Sequence, residues 1–287
     1  MTRGRALPLL AAVWLAATGG VIAGDQMDAY QAILDSEIRI ETRLAATLRD
    51  RFPELPERGT RSTLERLLTD AGRASGDRRA ALLLAADFLA ARLAPTDTAT
   101  PDELARQAPG KNLERSLALG GRTLTWVWSP LGSSWTYDHG LLWVVWREHP
   151  DGAWGEEAFL LLLRRGWNTT VFCKDSPDDF REVIREGERF LAARPTTRLR
   201  RDVALTLAWA YETWWSASRA RPGQGYVDEP ATYAAGAAQA RDRAIARYDE
   251  ALRLGLPGAL AADARQRLAR LRQSADTEQR IFYCVYD

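Results

Sequence analysis

The stretch Arg189-Phe190-Leu191-Ala192-Ala193-Arg194-Pro195, continuing to Asp202-Val203-Ala204-Leu205-Thr206-Leu207-Ala208-Trp209-Ala210-Tyr211, decides how this chain of 287 residues is read. A bulky apolar pair closes one helix. A Pro that cannot continue that helix marks a turn, and a second helix opens with an acid followed by a compact residue. The arrangement recurs on both sides. Pro150 is followed by Glu157-Ala158 and Leu162, Pro195 by Asp202-Val203 and Leu207, and Pro257, one residue shorter, by Asp263-Ala264 and Leu268. The apolar pairs before the prolines are Val145-Trp146, Phe190-Leu191 and, shifted by one, Ala251-Leu252. Recurrence of one supersecondary unit is the mark of a repeat architecture, in which each unit buries its apolar face against the next.

These residues resemble the tetratricopeptide-repeat (TPR) superfamily, in particular degenerate exported members whose helix pairs meet at a Pro-containing turn followed by small residues. Ala244, Tyr248 and Ala251 also match the small–aromatic–small order of that family's second helix. The resemblance spans about 135–273 and departs from the family in spacing, since the loop Ala220–Pro230 lengthens the last interval and Pro257 falls late. It implies a TPR-like α-solenoid and, for function, binding of a partner protein or peptide.

Helical periodicity also precedes the repeats. Met27, Tyr30, Leu34, Ile38, Ala45, Leu48 and Phe52 recur at helical spacing until Pro53. Ser62 with Glu65 predicts a capping box for the next helix, and Asp77 opens another that carries Leu83, Leu84 and Phe88. Thr100-Pro101-Asp102-Glu103 is a further start signal, and Gly120-Gly121 closes this half. At 122–136 the pattern changes: Leu124, Trp126 and Trp128 alternate with Thr123, Thr125 and Val127, as in a short extended segment, before the turn residues Ser129-Pro130-Leu131-Gly132. The expected fold class is all-α, with antiparallel helix pairs stacked as an array and an irregular or extended connector near 122–136. The expected organisation is a signal segment 1–23, an N-terminal helical half 24–121, the connector, the array 137–275 and a tail 276–287.

Arg3 and Arg5, the uncharged run Ala6–Ala23 and the exit Val21-Ile22-Ala23 read as a secretory signal cleaved before Gly24. A retained N-terminal membrane anchor is the alternative. Cleavage removes two arginines and no acid, so the formal charge passes from +1 to −1 and no later stretch is long enough to span a membrane. Such a near-neutral chain is not built to hold nucleic acid by bulk electrostatics. The chain has 39 Lys+Arg residues, and all but Lys111 and Lys174 are Arg, interleaved with acids. Codon bias explains that better than a phosphate site. Export, periplasmic or extracellular, makes a Cys173–Cys284 disulfide the favoured reading of the two cysteines, with two buried thiols as the alternative. Closing so long a loop stabilises a fold by about 4–5 kcal/mol in the chain-entropy treatment.

The chain is tryptophan-rich, and seven of its eleven Trp lie between 126 and 167. They read either as core or as an aromatic surface for a partner. The candidate contact residues are Trp126, Trp128, Trp135, Trp143 and Trp154, with Trp214 and Trp215, of which two adjacent rings cannot both face one core. The only histidines, His139 and His149, match no metal-ligand spacing, and no Gly-x-Ser-x-Gly elbow surrounds Ser133 or Ser134. Asp138 and Asp151 read as a cap and a turn residue. Glu156 and Glu157 point about 100° apart on a helix, so they do not share a cleft. No catalytic residue, metal ligand or cofactor is assigned. The sequence therefore predicts an exported helical-repeat binding or scaffold protein. The alternative is an exported hydrolase of cell-wall glycan or peptide with its site near Trp135, Asp138, His139 and Glu156.

Overall fold

Pro53, Pro150, Pro195 and Pro257 mark turns between helices, and the first of them ends a helix, α1, at 39–51. The computed structural model describes residues 39–54, 60–93, 114–129, 134–165, 167, 179–219 and 231–275. The signal segment, the Thr100–Glu103 start and both cysteines lie outside these residues. After α1 come α2 (Arg61–Arg73), α3 (Gly76–Ala90), β1 (Glu114–Leu119), β2 (Arg122–Ser129), β3 (Ser134–Tyr137), α4 (Gly140–Glu148) and α5 (Ala153–Arg164). The chain continues through α6 (Asp179–Ala193), α7 (Arg200–Arg219), the single turn α8 (Ala231–Ala234), α9 (Ala237–Arg253) and α10 (Gly258–Arg272). The protein is mostly helical. Among the described residues no helix is long and apolar enough to cross a membrane.

The all-α expectation is corrected by a three-stranded antiparallel sheet in the order β1-β2-β3. β2 is the extended segment the alternation predicts, but it pairs from Leu119↔Arg122 to Glu114↔Val127 with β1, which lies before the expected connector. Gly120-Gly121 does not close a helical half. It is the two-residue hairpin turn, with φ of +54° and +79°, the left-handed pair a type I′ turn requires. A Cβ on Gly120 would stand 2.6 Å from the Leu68 Cβ, so the hairpin tip sits directly on α2. β3 adds Trp126↔Tyr137 and Trp128↔Trp135. The capping box of α2 also falls earlier than expected: Thr60 Oγ1 accepts from the Thr63 N–H and Thr63 Oγ1 from the Thr60 N–H. Ser62 lies inside the helix.

The repeated sequence positions pack alike. Ala158, Val203 and Ala264 are fully buried, and Leu162, Leu207 and Leu268, four residues on, are core residues too. Each Pro-marked turn joins two contacting helices, α4 with α5, α6 with α7, and α9 with α10, while α7 contacts both α5 and α9. Small residues allow these approaches. A Cβ on Gly187 of α6 would lie 2.7 Å from Leu207 Cδ2 on α7 and 3.4 Å from Leu163 Cδ2 on α5. Aromatic rings fill the wider gaps, with Phe159 and Phe190 stacked at 4.1 Å and Trp146 against both.

Candidate functional site

The tryptophans divide by burial. Trp126 and Trp154 are core residues, as is Trp215. Trp135, Trp143, Trp146 and Trp214 are half-buried. Trp128 pairs with Trp135 through the backbone, and its side chain lies outside the described residues. Trp143 meets Trp167 edge-on at 4.9 Å, and Arg147 lies over its ring. Neither of the adjacent pair Trp214-Trp215 is exposed. Trp215 turns inward, while Trp214 is covered by the turn at α8, where its indole N–H donates to the Tyr233 carbonyl at 3.0 Å. A short element contributed from outside the helix pair resolves the conflict of two neighbouring rings.

A polar groove of about 490 Å³ opens where the Pro150 and Pro195 turns meet, lined by Asp151, Ala153, Glu156, Arg194, Thr197 and Arg198 among others. Arginines bolt the turns together here. Arg194 donates to the Pro150 carbonyl at 3.0 Å and to Asp151 at 2.8 Å, with its guanidinium over Trp146 and Phe190. Thr197 Oγ1 donates to Glu156 at 2.9 Å, and Arg198 to the Ala153 carbonyl at 3.2 Å. The next junction repeats the device, since Arg201 donates to the Gly255 carbonyl at 3.2 Å before Pro257. The groove is shallow and open, and its charged side chains are already paired with one another across the two turns.

The acids that recur after each Pro are all paired with Arg. Glu157 receives Arg43 at 2.9 Å and Arg198 at 3.0 Å. Asp202 lies 3.4 Å from Arg201 and 3.7 Å from Arg43, and Asp263 lies 2.8 Å from Arg267. Burial raises the Glu157 carboxyl above its ordinary range, against the pull of Arg43 and Arg198. Around Arg267, burial alone would lower the guanidinium pKa, but Glu212, Tyr248 and Asp263 hold it above its ordinary value. Glu212 also accepts from the Tyr248 hydroxyl.

One polar cluster was invisible along the chain. His139 Nδ1 lies 2.8 Å from Asp87 Oδ2, and Asp87, on α3, is completely buried. Tyr137 packs beside the imidazole at 5.1 Å and beside Trp126 at 5.4 Å. Among the described residues, Asp87 Oδ1 and the Trp126 indole N–H find no hydrogen-bond partner. Burial pushes the Tyr137 phenol well up, and the Asp87 and Asp138 charges add to this. Asp138 is not the N-cap its position suggests: that residue is His139, which makes no side-chain cap bond, while Asp138 accepts from the Gly140 N–H at 2.9 Å in an Asx turn just before the helix, and burial raises its carboxyl. His139 itself is left-handed, with φ of +56°. The structure thus joins Asp138 and His139 to Asp87, whereas Glu156 faces the groove between turns with Thr197 and Arg194. The one trace of Asp87 in the sequence is an acid four residues after Leu83, on the apolar stripe of α3.

Among the described residues, no group of three or more His, Cys, Asp or Glu is placed to hold a metal ion. Compared with known proteins, the chain matches no family model, no curated protein and no solved structure.

Proposed function

We propose that this chain is an exported helical-repeat binding or scaffold protein, its helix pairs stacked as a TPR-like solenoid that engages a protein or peptide. The observation that carries the reading is the equivalent construction of successive pairs. The same positions are buried, the same acid is Arg-paired, and Arg194, Arg198 and Arg201 tie one Pro-marked turn to the next. Repetition of this kind extends a surface along the stack rather than enclosing one reacting centre. On this reading the chain is periplasmic or extracellular after cleavage before Gly24, and the half-buried Trp135, Trp143 and Trp214 supply contacts.

The test is recovery of partners by a tagged full-length chain from the native envelope fraction, beside a Trp135→Ala/Trp143→Ala/Trp214→Ala variant. The wild type should retain a partner that the variant loses. Recovery of identical proteins by both removes the aromatic surface from the proposal. N-terminal sequencing of the exported chain should begin at Gly24, and a start at Met1 would replace the cleaved signal by an anchor.

A hydrolase of cell-wall glycan or peptide is the second reading, and the Asp87–His139 pair is the observation in its favour, since a carboxylate that fixes an imidazole tautomer is a common part of general-base sites. Turnover of purified wall material that disappears in His139→Gln would support it. No turnover by the folded wild type would dismiss it.

A further inference from the structure

The helices that follow turns, α3, α5 and α7, hold α1 through a recurring set of contacts. Arg43 donates to Glu157 on α5 and stands 3.7 Å from Asp202 on α7. Two helical turns further on, Arg51 donates to Asp77 on α3 at 2.6 Å. Arg165, just past α5, reaches back to Glu41 at 2.9 Å, so α1 runs antiparallel to α5. At the other end Phe52 lies beside Trp154, with Arg51 over both rings. Between these polar ties Ile40, Leu44 and Leu48 are buried at a spacing of four, and the α1 residues on either side of that stripe are half-buried or exposed.

Two observations set α1 apart from the rest of the packing. Asp263 is served by Arg267, one turn along its own helix, whereas Glu157 and Asp202, besides their contacts with Arg198 and Arg201, share a guanidinium brought by α1. α1 ends at Arg51 and α2 begins only at Arg61, with Pro53 after α1, so α1 can leave without unwinding α2.

We propose that the shared face of α3, α5 and α7 is a receptor for an amphipathic helix with an aliphatic i, i+4, i+8 stripe flanked by arginines, and that α1 is its exchangeable resident. The inference rests on the binding-protein reading and gives the partner its chemistry. The stripe supplies affinity, and guanidinium groups on the repeated acids set register, as in helix-in-groove recognition. Because α1 is tethered, its high effective concentration keeps the receptor closed to all but a better-matched helix.

The test titrates a fluorescent peptide of sequence 37–54 against the full-length chain and against a full-length Leu44→Asp/Leu48→Asp variant, whose own α1 no longer docks. Anisotropy should show at least tenfold tighter binding to the variant. Adding Glu157→Gln and Asp202→Asn to it should weaken that binding at least fivefold. A variant that keeps its helical spectrum and cooperative melting yet binds no better than the wild type overturns the proposal. Should the variant fail to fold, hydrogen exchange on the wild type decides. The proposal expects α1 amides to exchange at least tenfold faster than those of α5 and α7, and equal protection overturns it. If a partner recovered from the envelope binds unchanged in the presence of saturating peptide, the binding reading stands and the helix receptor falls.

Discussion

Asp87 and His139 come from elements 52 positions apart and meet in the core, where a polar group stripped of its hydrogen-bond partner is costly. Removing the imidazole while leaving the carboxylate should therefore destabilise far more than an ordinary truncation. His139→Ala is expected to cost about 3 kcal/mol, the upper end of what leaving a buried polar group unsatisfied costs, measured by urea denaturation. Glu157 makes a pH-dependent prediction. Burial raises its folded-state carboxyl above the ordinary 4.5, despite Arg43 and Arg198. A carboxyl raised on folding contributes fully below its unfolded pKa, and that contribution is lost as pH rises through the folded value. Urea midpoints of the wild type should thus fall, relative to those of Glu157→Gln, as pH climbs from about 4.5 towards neutrality. A constant difference between the two proteins would show that the folded carboxyl is not raised. Along the chain, Glu157 was legible as a structural acid because it recurs with Asp202 and Asp263. Asp87 was not, because a single acid in an apolar stripe does not announce its partner.

At the scale of elements, the β1–β2 hairpin separates two costs that glycine usually hides. Both Gly120 and Gly121 are left-handed, but only Gly120 lies against another element, with the Leu68 Cβ, the Glu65 carbonyl and the Thr69 N–H all within 3 Å of where a Cβ would stand. Gly121→Ala should cost about 1–2 kcal/mol, the penalty of placing an L-residue in that conformation. Gly120→Ala should lower Tm by a clearly larger amount, because α2 must also move. Equal losses in thermal melts would mean that the hairpin tip does not bear on α2. Alternation in 122–128 was enough to predict an extended segment. It could not show that Glu114–Leu119 would be its partner strand, because pairing depends on the reverse turn and on the helix beneath it. Helix boundaries shifted for a similar reason: hydroxyls at Thr60 and Thr63 provide a box as serviceable as Ser62 with Glu65.

Across the whole molecule, buried polar groups link one helix pair to the next. Glu212 on α7, Tyr248 on α9 and Arg267 on α10 form one such network in the core, and Glu188 on α6 joins Tyr211 on α7 to Arg247 on α9 in another. Burial and the Glu188 carboxylate push the Tyr211 phenol up to about 12. Arg267→Met strips a cation from the fully buried Glu212 and should cost about 3–5 kcal/mol, with part of it recovered by adding Glu212→Gln in a double-mutant cycle. Additive losses would dissolve the network. The sequence by itself determined the helical character of the chain, the three Pro-marked pairs and the burial of their repeated positions, because helix periodicity and proline punctuation are local properties. Tertiary structure alone decided the sheet partner of β2, the burial of Asp87 against His139, the covering of Trp214 by α8 and the seating of α1 on α3, α5 and α7. Each of these depends on which distant side chain supplies the missing hydrogen bond, charge or apolar cover, and that is set only when the elements pack.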